Sequence, residues 1–233
     1  MSFRKEAIMK KTISFSLWGS DPKYTVGAIR NAEISAELYK DWKLKYYIAN
    51  SVPNQIIYSL EEFSNVEIIE KQNPGDWTSM FWRFEASFDD DSDVIIFRDT
   101  DSRISPREEE AVNEWLASDK TYHVMRDHPY HKFPILGGMW GLKKNKDYNM
   151  KGMIESFMAN RASDRYGTDY QFLSEVLFPA IGNDVIIHDE FFDNKPFPSK
   201  RKDLEFVGKV FDENEETVQE HALALKLALD AKN

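Results

Sequence analysis

The stretch VIIFRDTDSR, residues 94–103, decides how this chain is expected to fold. Its first four residues form a continuous apolar run, which is typical of a strand buried on both faces of a sheet. Asp99, Thr100 and Asp101 follow almost at once. In open α/β sheets, ligands bind beyond the carboxyl ends of the strands. We therefore expect these two carboxylates to face a ligand site.

Aspartates separated by one residue can share one hard cation, which then takes water and phosphate oxygens as further ligands. The alternative interpretation is a solvated acidic turn. The buried strand before Asp99, together with Arg98 and Arg103 beside the motif, favours the ligand site. The acidic run FDDDSD, residues 88–93, precedes the strand instead, and we expect it to be a solvated loop.

Short β-rich runs alternate with helical patterns along the rest of the chain, and this alternation predicts an α/β fold with a mainly parallel sheet and helices on both faces. Strands are predicted at 12–18, 45–49, 66–69, 93–97, 122–125, 135–142 and 185–187, and helices at 21–39, 52–63, 77–88, 106–118, 154–159, 171–177 and 212–231. We expect one domain over residues 1–233, with 1–10 as a disordered leader, 191–203 as an irregular loop and 212–233 as the C-terminal helix.

Composition limits the classes of function. The 30 Lys and Arg residues against 40 Asp and Glu residues give a net charge of −10, which argues against a nucleic-acid partner. The chain has no cysteine, so disulfides, thiol catalysis and cysteine-ligated zinc are excluded. No apolar run is long enough to span a membrane and no signal peptide is recognisable, so we expect a cytoplasmic protein. The sequence does not indicate an oligomeric state.

The apolar strand that ends in Asp99-Thr100-Asp101 resembles the metal-binding D-x-D motif of GT-A-fold glycosyltransferases. The ordered segments RDTDSR, PREEEAVNEWL, YHVMRDHPYH and ILGGMWG, within residues 98–141, are similar to a small bacterial and viral group of such proteins, and family 8 is more loosely similar. The similarity runs from about Ile13 to Gly208. It implies a single GT-A domain, a nucleotide-diphosphate sugar (a uridine diphosphate sugar in the first instance), Mn²⁺ or Mg²⁺, and a glycan or other hydroxyl acceptor.

The same resemblance implies a metal site made by Asp99 and Asp101, in which Asp101 is the more direct ligand and Asp99 also approaches the donor. His188, which follows the predicted strand 185–187, is the candidate third ligand, because a neutral imidazole can complete a Mn²⁺ site. The alternative for His188 is a strand-end histidine that is hydrogen-bonded by backbone or water.

Further donor contacts are carried over from the resemblance. Gly137 and Gly138 are expected to let the backbone approach the donor sugar, although adjacent glycines can equally mark a bulge. Arg83, 16 residues before Asp99, is expected to reach the donor, with an exposed helix arginine as the alternative. The tip of the first strand is expected to grip the nucleobase through Leu17, Trp18 and Gly19, with Tyr24 stacking on the base.

Two carboxylates are candidates for catalysis. The resemblance places Asp169 against the sugar hydroxyls, and helix capping is the alternative. Related sequences often have Asp-Gln here, whereas Tyr170 separates Asp169 from Gln171 in this chain, so a direct role of Gln171 is not carried over. Asp127 follows a predicted strand and is a candidate general base for an inverting reaction, with a salt bridge or turn as the alternative.

Three other functions compete with glycosyl transfer. A non-catalytic binder of nucleotide sugars or carbohydrates could keep the same fold. A haloacid-dehalogenase-like phosphatase also uses a strand followed by D-x-D, but that strand lies near the N-terminus. A sugar nucleotidyltransferase would carry a Gly-rich, basic loop after the first strand, and GSDPKY at 19–24 is not such a loop.

Overall fold

The computed structural model describes residues 9–145, 149–160 and 165–232, and its centre is one seven-stranded mixed sheet in the order β3-β2-β1-β4-β6-β5-β7. The strands are β1 (Lys11–Leu17), β2 (Trp42–Ala49), β3 (Val66–Lys71), β4 (Val94–Phe97), β5 (Tyr122–Arg126), β6 (Trp140–Lys143) and β7 (Val185–Asp189). Only β6 runs antiparallel to its neighbours β4 and β5. The mainly parallel α/β fold predicted from the sequence is confirmed.

The helices are α1 (Pro22–Leu38), α2 (Asn54–Glu61), α3 (Pro106–Ala117), α4 (Met150–Asn160), α5 (Thr168–Phe172), α6 (Phe178–Ile181) and α7 (Gln219–Asp230). None of these helices combines the length and apolarity that crossing a membrane requires. A 3₁₀ segment spans Trp77–Ser87, and a π-helical turn, Leu173–Leu177, joins α5 to α6. The proposed leader falls largely outside the described residues, which begin at Met9.

The sheet is buried on both faces because helical elements cover each side. On one side, Ile13 and Phe15 of β1 pack with residues of α1, α2 and α3. On the other side, Phe84, Phe97 and Trp140 form an aromatic core with residues of α4 and α5. The rings of Phe97 and Trp140 are 4.2 Å apart at their centroids. This second core anchors the 3₁₀ segment against the sheet.

The segment Trp77–Ser87 is a 3₁₀ helix rather than the α-helix expected from its composition. Its buried residues repeat every three positions, as Met80, Arg83 and Ala86, and beside them Phe81, Phe84 and Ser87. Side chains three residues apart eclipse each other in a 3₁₀ helix, so this repeat forms two adjacent buried rows.

The prediction of a strand over 135–142 is wrong in its first half. The strand β6 begins at Trp140, and residues 135–139 form a bend and turn that contains Gly137 and Gly138. Because β6 runs against β4, its amino end lies at the edge of the sheet where the parallel strands have their carboxyl ends. This reversal places the two glycines beside the residues that follow β4.

The other differences concern helix ends. The helix predicted from 212 begins at Gln219, and the residues before it include an isolated antiparallel bridge between Phe211 and Thr217. The helix predicted over 171–177 is interrupted by a π-helical turn. Pro179 follows this turn and has no backbone N–H to continue an α-helical ladder.

Candidate functional site

A cavity of about 730 Å³ opens at the carboxyl edge of β1 and β4. Most of the site residues predicted from the sequence line this cavity, namely Leu17, Trp18, Gly19, Tyr24, Arg83, Asp99, Asp101 and Asp169. The turn after β4 forms the charged floor. The segment after β1 forms one wall, and the residues after β5, with parts of the C-terminal region, form another.

Arg83 joins two of the carboxylates. Its Nη1 donates to Asp99 Oδ1, and its Nη2 donates to Asp169 Oδ2 at 2.7 Å. The backbone of Arg83 is fixed to β1, because its N–H donates to Ser16 Oγ at 2.9 Å and its carbonyl accepts from Ser14 Oγ at 2.6 Å. Burial alone would lower the pKa of Arg83, but Asp99 and Asp169 together raise it. The guanidinium is therefore a permanent cation that faces the cavity, not an exposed helix arginine.

Asp169 lies inside the first turn of α5 and not at the capping position, which Gly167 occupies. Its side chain is only 1% exposed. Burial raises the pKa of Asp169, while Arg83 opposes that rise. Among the described residues, its Oδ1 has no hydrogen-bond partner of good geometry. The carboxylate is thus held at the cavity by Arg83.

Gly137 and Gly138 allow the turn before β6 to press against these charged groups. A Cβ on Gly137 would lie 2.4 Å from Asp169 Oδ2 and 2.5 Å from Arg83 Nη2. A Cβ on Gly138 would lie 2.1 Å from Asp99 Oδ2 and 2.7 Å from the Asp99 backbone nitrogen. No side chain fits at either position while the carboxylates keep their places, so these glycines shape the site directly.

Sequence reasoning missed two residues of α1 that meet the turn after β4. A Cβ on Gly27 would lie 2.0 Å from the Thr100 carbonyl oxygen, so α1 packs directly on this turn. Lys23 Nζ lies 2.8 Å from Asp101 Oδ2. Burial raises the pKa of Asp101, the charge of Asp99 adds to that rise, and Lys23 opposes it. The spacing Asp21-Pro22-Lys23 signals a helix start, but no local pattern connects it with Asp101.

Asp99 and Asp101 are the groups in the cavity that suit a metal ion. Both carboxylates come from one turn, and both line the same cavity. Within the described ranges, no group of three or more histidine, aspartate or glutamate side chains is placed to bind one ion. Two carboxylates with space beside them fit a hard divalent cation that completes its shell with water and phosphate oxygens.

His188 is not brought to these aspartates. It lies in β7, which is separated from β4 by β6 and β5. Its Nδ1 is 2.8 Å from His123 Nε2, and its Nε2 is 3.6 Å from Glu114 Oε1. The prediction of His188 as a third ligand of that cation is therefore corrected. A strand end is recognisable in sequence, but its distance from β4 depends on the strand order.

Asp127 is also withdrawn from the cavity, which corrects its prediction as a general base. Its carboxylate is completely buried and accepts from Arg107 Nε at 2.8 Å, from Arg201 Nη2 at 2.5 Å and from the Val207 N–H at 2.9 Å. Glu190 completes this ionic cluster with contacts of 2.6 Å to Arg107 and 2.8 Å to Arg201. The structural alternative, a salt bridge, describes Asp127 correctly, although its partners are distant in sequence.

A rim of aromatic side chains surrounds the cavity and was not expected from the sequence as a group. Seven aromatic residues are exposed in the described part of the chain, and five of them line this cavity. They are Tyr24, Trp77, Tyr130, Phe133 and Tyr166. Exposed aromatic rings concentrated at one opening indicate a site for ligands that present flat or apolar faces.

The buried histidine pair of β5 and β7 makes a prediction about stability. Burial, with a further contribution from His188, holds the pKa of His123 well below its usual range. The folded protein therefore keeps His123 neutral, whereas the unfolded chain binds a proton below about pH 6.5. Stability is lost as the pH falls through that value. We expect His123→Gln to remove about 1 kcal/mol of the loss in unfolding free energy between about pH 7.5 and about pH 5.5.

Urea denaturation of the wild-type protein and of His123→Gln at both pH values measures this difference. The variant serves as its own control, because any loss of packing lowers its stability at both pH values alike. The same pH dependence in both proteins would show that His123 is protonated equally in the folded and unfolded states.

Several solved structures are similar to this chain. A glycosyltransferase involved in the glycosylation of the major capsid of PBCV-1 superposes with a TM-score of 0.51 at 14% identity, over 79% of this chain and 83% of that one. The galactosyltransferase LgtC, in complex with donor and acceptor sugar analogues, has a TM-score of 0.54 at 12% identity, over 78% and 74% of the two chains.

A 4-diphosphocytidyl-2C-methyl-D-erythritol synthase from Anaerococcus prevotii has a TM-score of 0.53 at 13% identity, over 95% of this chain and 99% of that one. No protein-family model matches the sequence, and no curated protein matches it significantly. At these identities, the structural similarity bears on the fold alone. The chain has the GT-A fold of the glycosyltransferases it resembles, with the charged floor of its cavity at the end of the central strand β4.

Proposed function

We propose that the protein transfers a sugar from a nucleotide-diphosphate sugar to a hydroxyl acceptor. The observation that carries this proposal is the convergence of Asp99, Asp101, Arg83 and Asp169 on one cavity at the end of β4. The four residues come from three separate segments of the chain and combine cationic and anionic groups in one place. Such a site suits a ligand with a charged diphosphate and a hydroxyl-rich ring.

Asp99 and Asp101 would hold a divalent cation, Mn²⁺ or Mg²⁺. When bound, this cation would offset the negative charge that develops on the leaving nucleoside diphosphate. Asp101 is less exposed than Asp99, with 17% of its side chain accessible against 40%. Asp101 therefore lies deeper in the cavity than Asp99. One oxygen of Asp99 accepts a hydrogen bond from Arg83.

The donor would lie along the floor, from the β1 wall towards Asp169. Leu17, Trp18 and Gly19 form the tip of β1, where backbone groups would contact the nucleobase, and Tyr24 offers an exposed ring for stacking. Asp169 would accept hydrogen bonds from hydroxyl groups of the sugar. The turn with Gly137 and Gly138 would close the floor beneath that sugar. We propose a uridine diphosphate sugar as the first donor to test.

The acceptor would enter along the wall formed by the residues after β5. Tyr130 and Phe133 are exposed there, and His131 and His221 lie beside them. Aromatic rings pack against the apolar faces of ligands while nearby polar groups fix the orientation. This combination of aromatic and imidazole side chains favours a glycan as the acceptor.

Removal of one carboxylate tests the metal site. We expect Asp101→Asn to keep the fold and to lose most of the Mn²⁺-dependent affinity for a uridine diphosphate sugar, by about tenfold or more, because a neutral amide is a poorer ligand for a hard cation. Calorimetry with Mn²⁺ present and with Mn²⁺ chelated measures this. Asp90→Asn, an exposed carboxylate outside the cavity, is the matched control. Equal affinity of wild type and Asp101→Asn would refute the metal assignment.

Asp169 makes a separate prediction about turnover. Asp169→Asn removes the negative charge but can still accept a hydrogen bond from Arg83. A carboxylate is a stronger acceptor for sugar hydroxyls than an amide, and such bonds matter most as the sugar–phosphate bond breaks. We expect a transfer rate at least about tenfold lower with nearly normal affinity for the donor. Release of uridine diphosphate over a panel of glycan acceptors measures the rate. An unchanged rate would limit Asp169 to holding Arg83.

The same assay separates the competing functions. A non-catalytic binder would bind the nucleotide sugar without releasing uridine diphosphate on any acceptor. Nucleotidyl transfer remains the second candidate, because the structure of a 4-diphosphocytidyl-2C-methyl-D-erythritol synthase is also similar. That activity would transfer a nucleotidyl group from a nucleoside triphosphate to a sugar phosphate and would release the pyrophosphate of the triphosphate. The phosphatase alternative is not favoured by a GT-A fold in which the acidic turn follows three earlier strands.

A further inference from the structure

Lys23 reaches from the first turn of α1 to the floor of the cavity. Its Nζ lies 2.8 Å from Asp101 Oδ2 and 5.0 Å from the ring centroid of Tyr24. About a third of the Lys23 side chain, 32%, is exposed, against 17% for Asp101. The lysine is thus able to swing towards solvent or towards a ligand in the cavity, whereas Asp101 remains in the floor.

The start of a helix is an unfavourable place for a lysine. The unpaired N–H groups there carry partial positive charge, so acidic residues are preferred in the first turn. The first turn of α1 contains no acidic residue and carries Lys23 at its second position, directly after Pro22. Helix preferences therefore do not account for a lysine at this position, whereas its contact with Asp101 does. Departures from local rules of this kind are typical of functional sites.

The other carboxylates that line the cavity already have charged or backbone partners. Asp99 and Asp169 share Arg83, and Asp21 accepts from the Lys23 N–H at 3.0 Å as the cap of α1. Within the described ranges, Lys23 is the cationic side chain that lies within 4.0 Å of the Asp101 carboxylate. The site therefore has a resident cation at the carboxylate that the proposed metal ion would use.

We infer that Lys23 is a displaceable counterion of the metal site. It neutralises Asp101 while the site holds no divalent cation, and it moves to the diphosphate of the donor when the cation takes Asp101. This inference rests on the proposed function. It predicts that the protein alone binds a divalent cation weakly, and that cation and nucleotide bind together more tightly than either does alone. This movement of Lys23 keeps Asp101 paired with a cation when no metal ion is bound. It also pairs the donor diphosphate with a cation when metal and donor are bound.

Substitution of Lys23 should change the two affinities in opposite directions. With no nucleotide present, we expect Lys23→Met to bind Mn²⁺ at least about fivefold more tightly than the wild type. In this variant no ammonium group pairs with Asp101, and none repels the incoming cation. With Mn²⁺ near saturation, we expect Lys23→Met to bind uridine diphosphate about fivefold more weakly, because one phosphate contact is lost. Lys23→Arg, which keeps the charge, should bind Mn²⁺ as weakly as the wild type.

Electron paramagnetic resonance of free Mn²⁺ and calorimetry with uridine diphosphate measure these affinities without any turnover. Lys43→Met is the matched control, because Lys43 forms a 2.8 Å ion pair with Glu67 outside the cavity. Mn²⁺ affinity that depends on Asp101 but is equal in wild type and Lys23→Met would overturn this inference alone. Failure of every variant to bind Mn²⁺ would overturn the proposed metal site as well. Tighter Mn²⁺ binding without weaker nucleotide binding would refute the exchange.

Discussion

Replacing Arg83 with methionine is expected to lower the free energy of unfolding by about 3–5 kcal/mol, because it leaves a buried carboxylate without its cation. Asp169 is 1% exposed, and its Oδ2 has Arg83 as its charged partner at 2.7 Å. Asp99 also loses its contact with Arg83, but it is 40% exposed and can turn towards water. Urea denaturation followed by tryptophan fluorescence measures the change as a lower midpoint with an unchanged slope.

Two further variants make this prediction specific. Arg30→Met removes an arginine from an exposed pair with Glu33 and should cost no more than about 1 kcal/mol. The double variant Arg83→Met/Asp169→Asn removes the unpaired charge and should recover part of the stability that Arg83→Met loses. A loss in Arg83→Met as small as that in Arg30→Met would mean that Asp169 does not depend on Arg83.

Gly138→Ala is expected to lower the transfer rate by about 100-fold, because displacement of an active-site group by about 1 Å has effects of that size. The added Cβ would lie 2.1 Å from Asp99 Oδ2 and 2.7 Å from the Asp99 backbone nitrogen, so either the carboxylate or the turn must move. One of the two close atoms belongs to the backbone, which cannot rotate away. Release of uridine diphosphate in the presence of Mn²⁺ measures the rate.

Gly152→Ala is the control for this prediction. Gly152 lies in α4, and the close neighbours of its Cβ belong to the exposed side chain of Asn149, which can move. Alanine is also favoured over glycine inside a helix. We expect this control to keep wild-type activity. Normal activity in Gly138→Ala would show that the turn before β6 yields without disturbing Asp99.

The central part of the site was predictable because its signals are local. An apolar run followed at once by Asp99 and Asp101 defines a strand and its carboxyl end within ten residues, and the structure places both carboxylates in the cavity. Arg83 and Asp169 came from resemblance to a family, since no spacing in the sequence connects them. The contacts of Arg83 with Asp99 and Asp169 depend on how the 3₁₀ segment and α5 pack on the sheet.

Residues whose role depends on strand order were not predictable in this way. His188 and Asp127 lie at the ends of strands, just as Asp99 does, and the residues around each of the three show the same pattern of a strand followed by a polar side chain. The structure distinguishes them, because β7 lies at the far edge of the sheet and because two arginines distant in sequence enclose Asp127. The antiparallel course of β6 was also hidden, since an apolar run with two glycines does not reveal its direction.

The ionic cluster around Asp127 has a consequence for how this protein can vary. Asp127, Glu190, Arg107 and Arg201 carry two negative and two positive charges, so the set is neutral and the loss of any single member leaves it with a net charge. Loss of one member leaves a buried charge without its partner, whereas replacement of the whole set by apolar side chains of similar volume is often tolerated. Each of these four positions is therefore epistatic on the others. In natural relatives, we expect the four to be inherited or exchanged together.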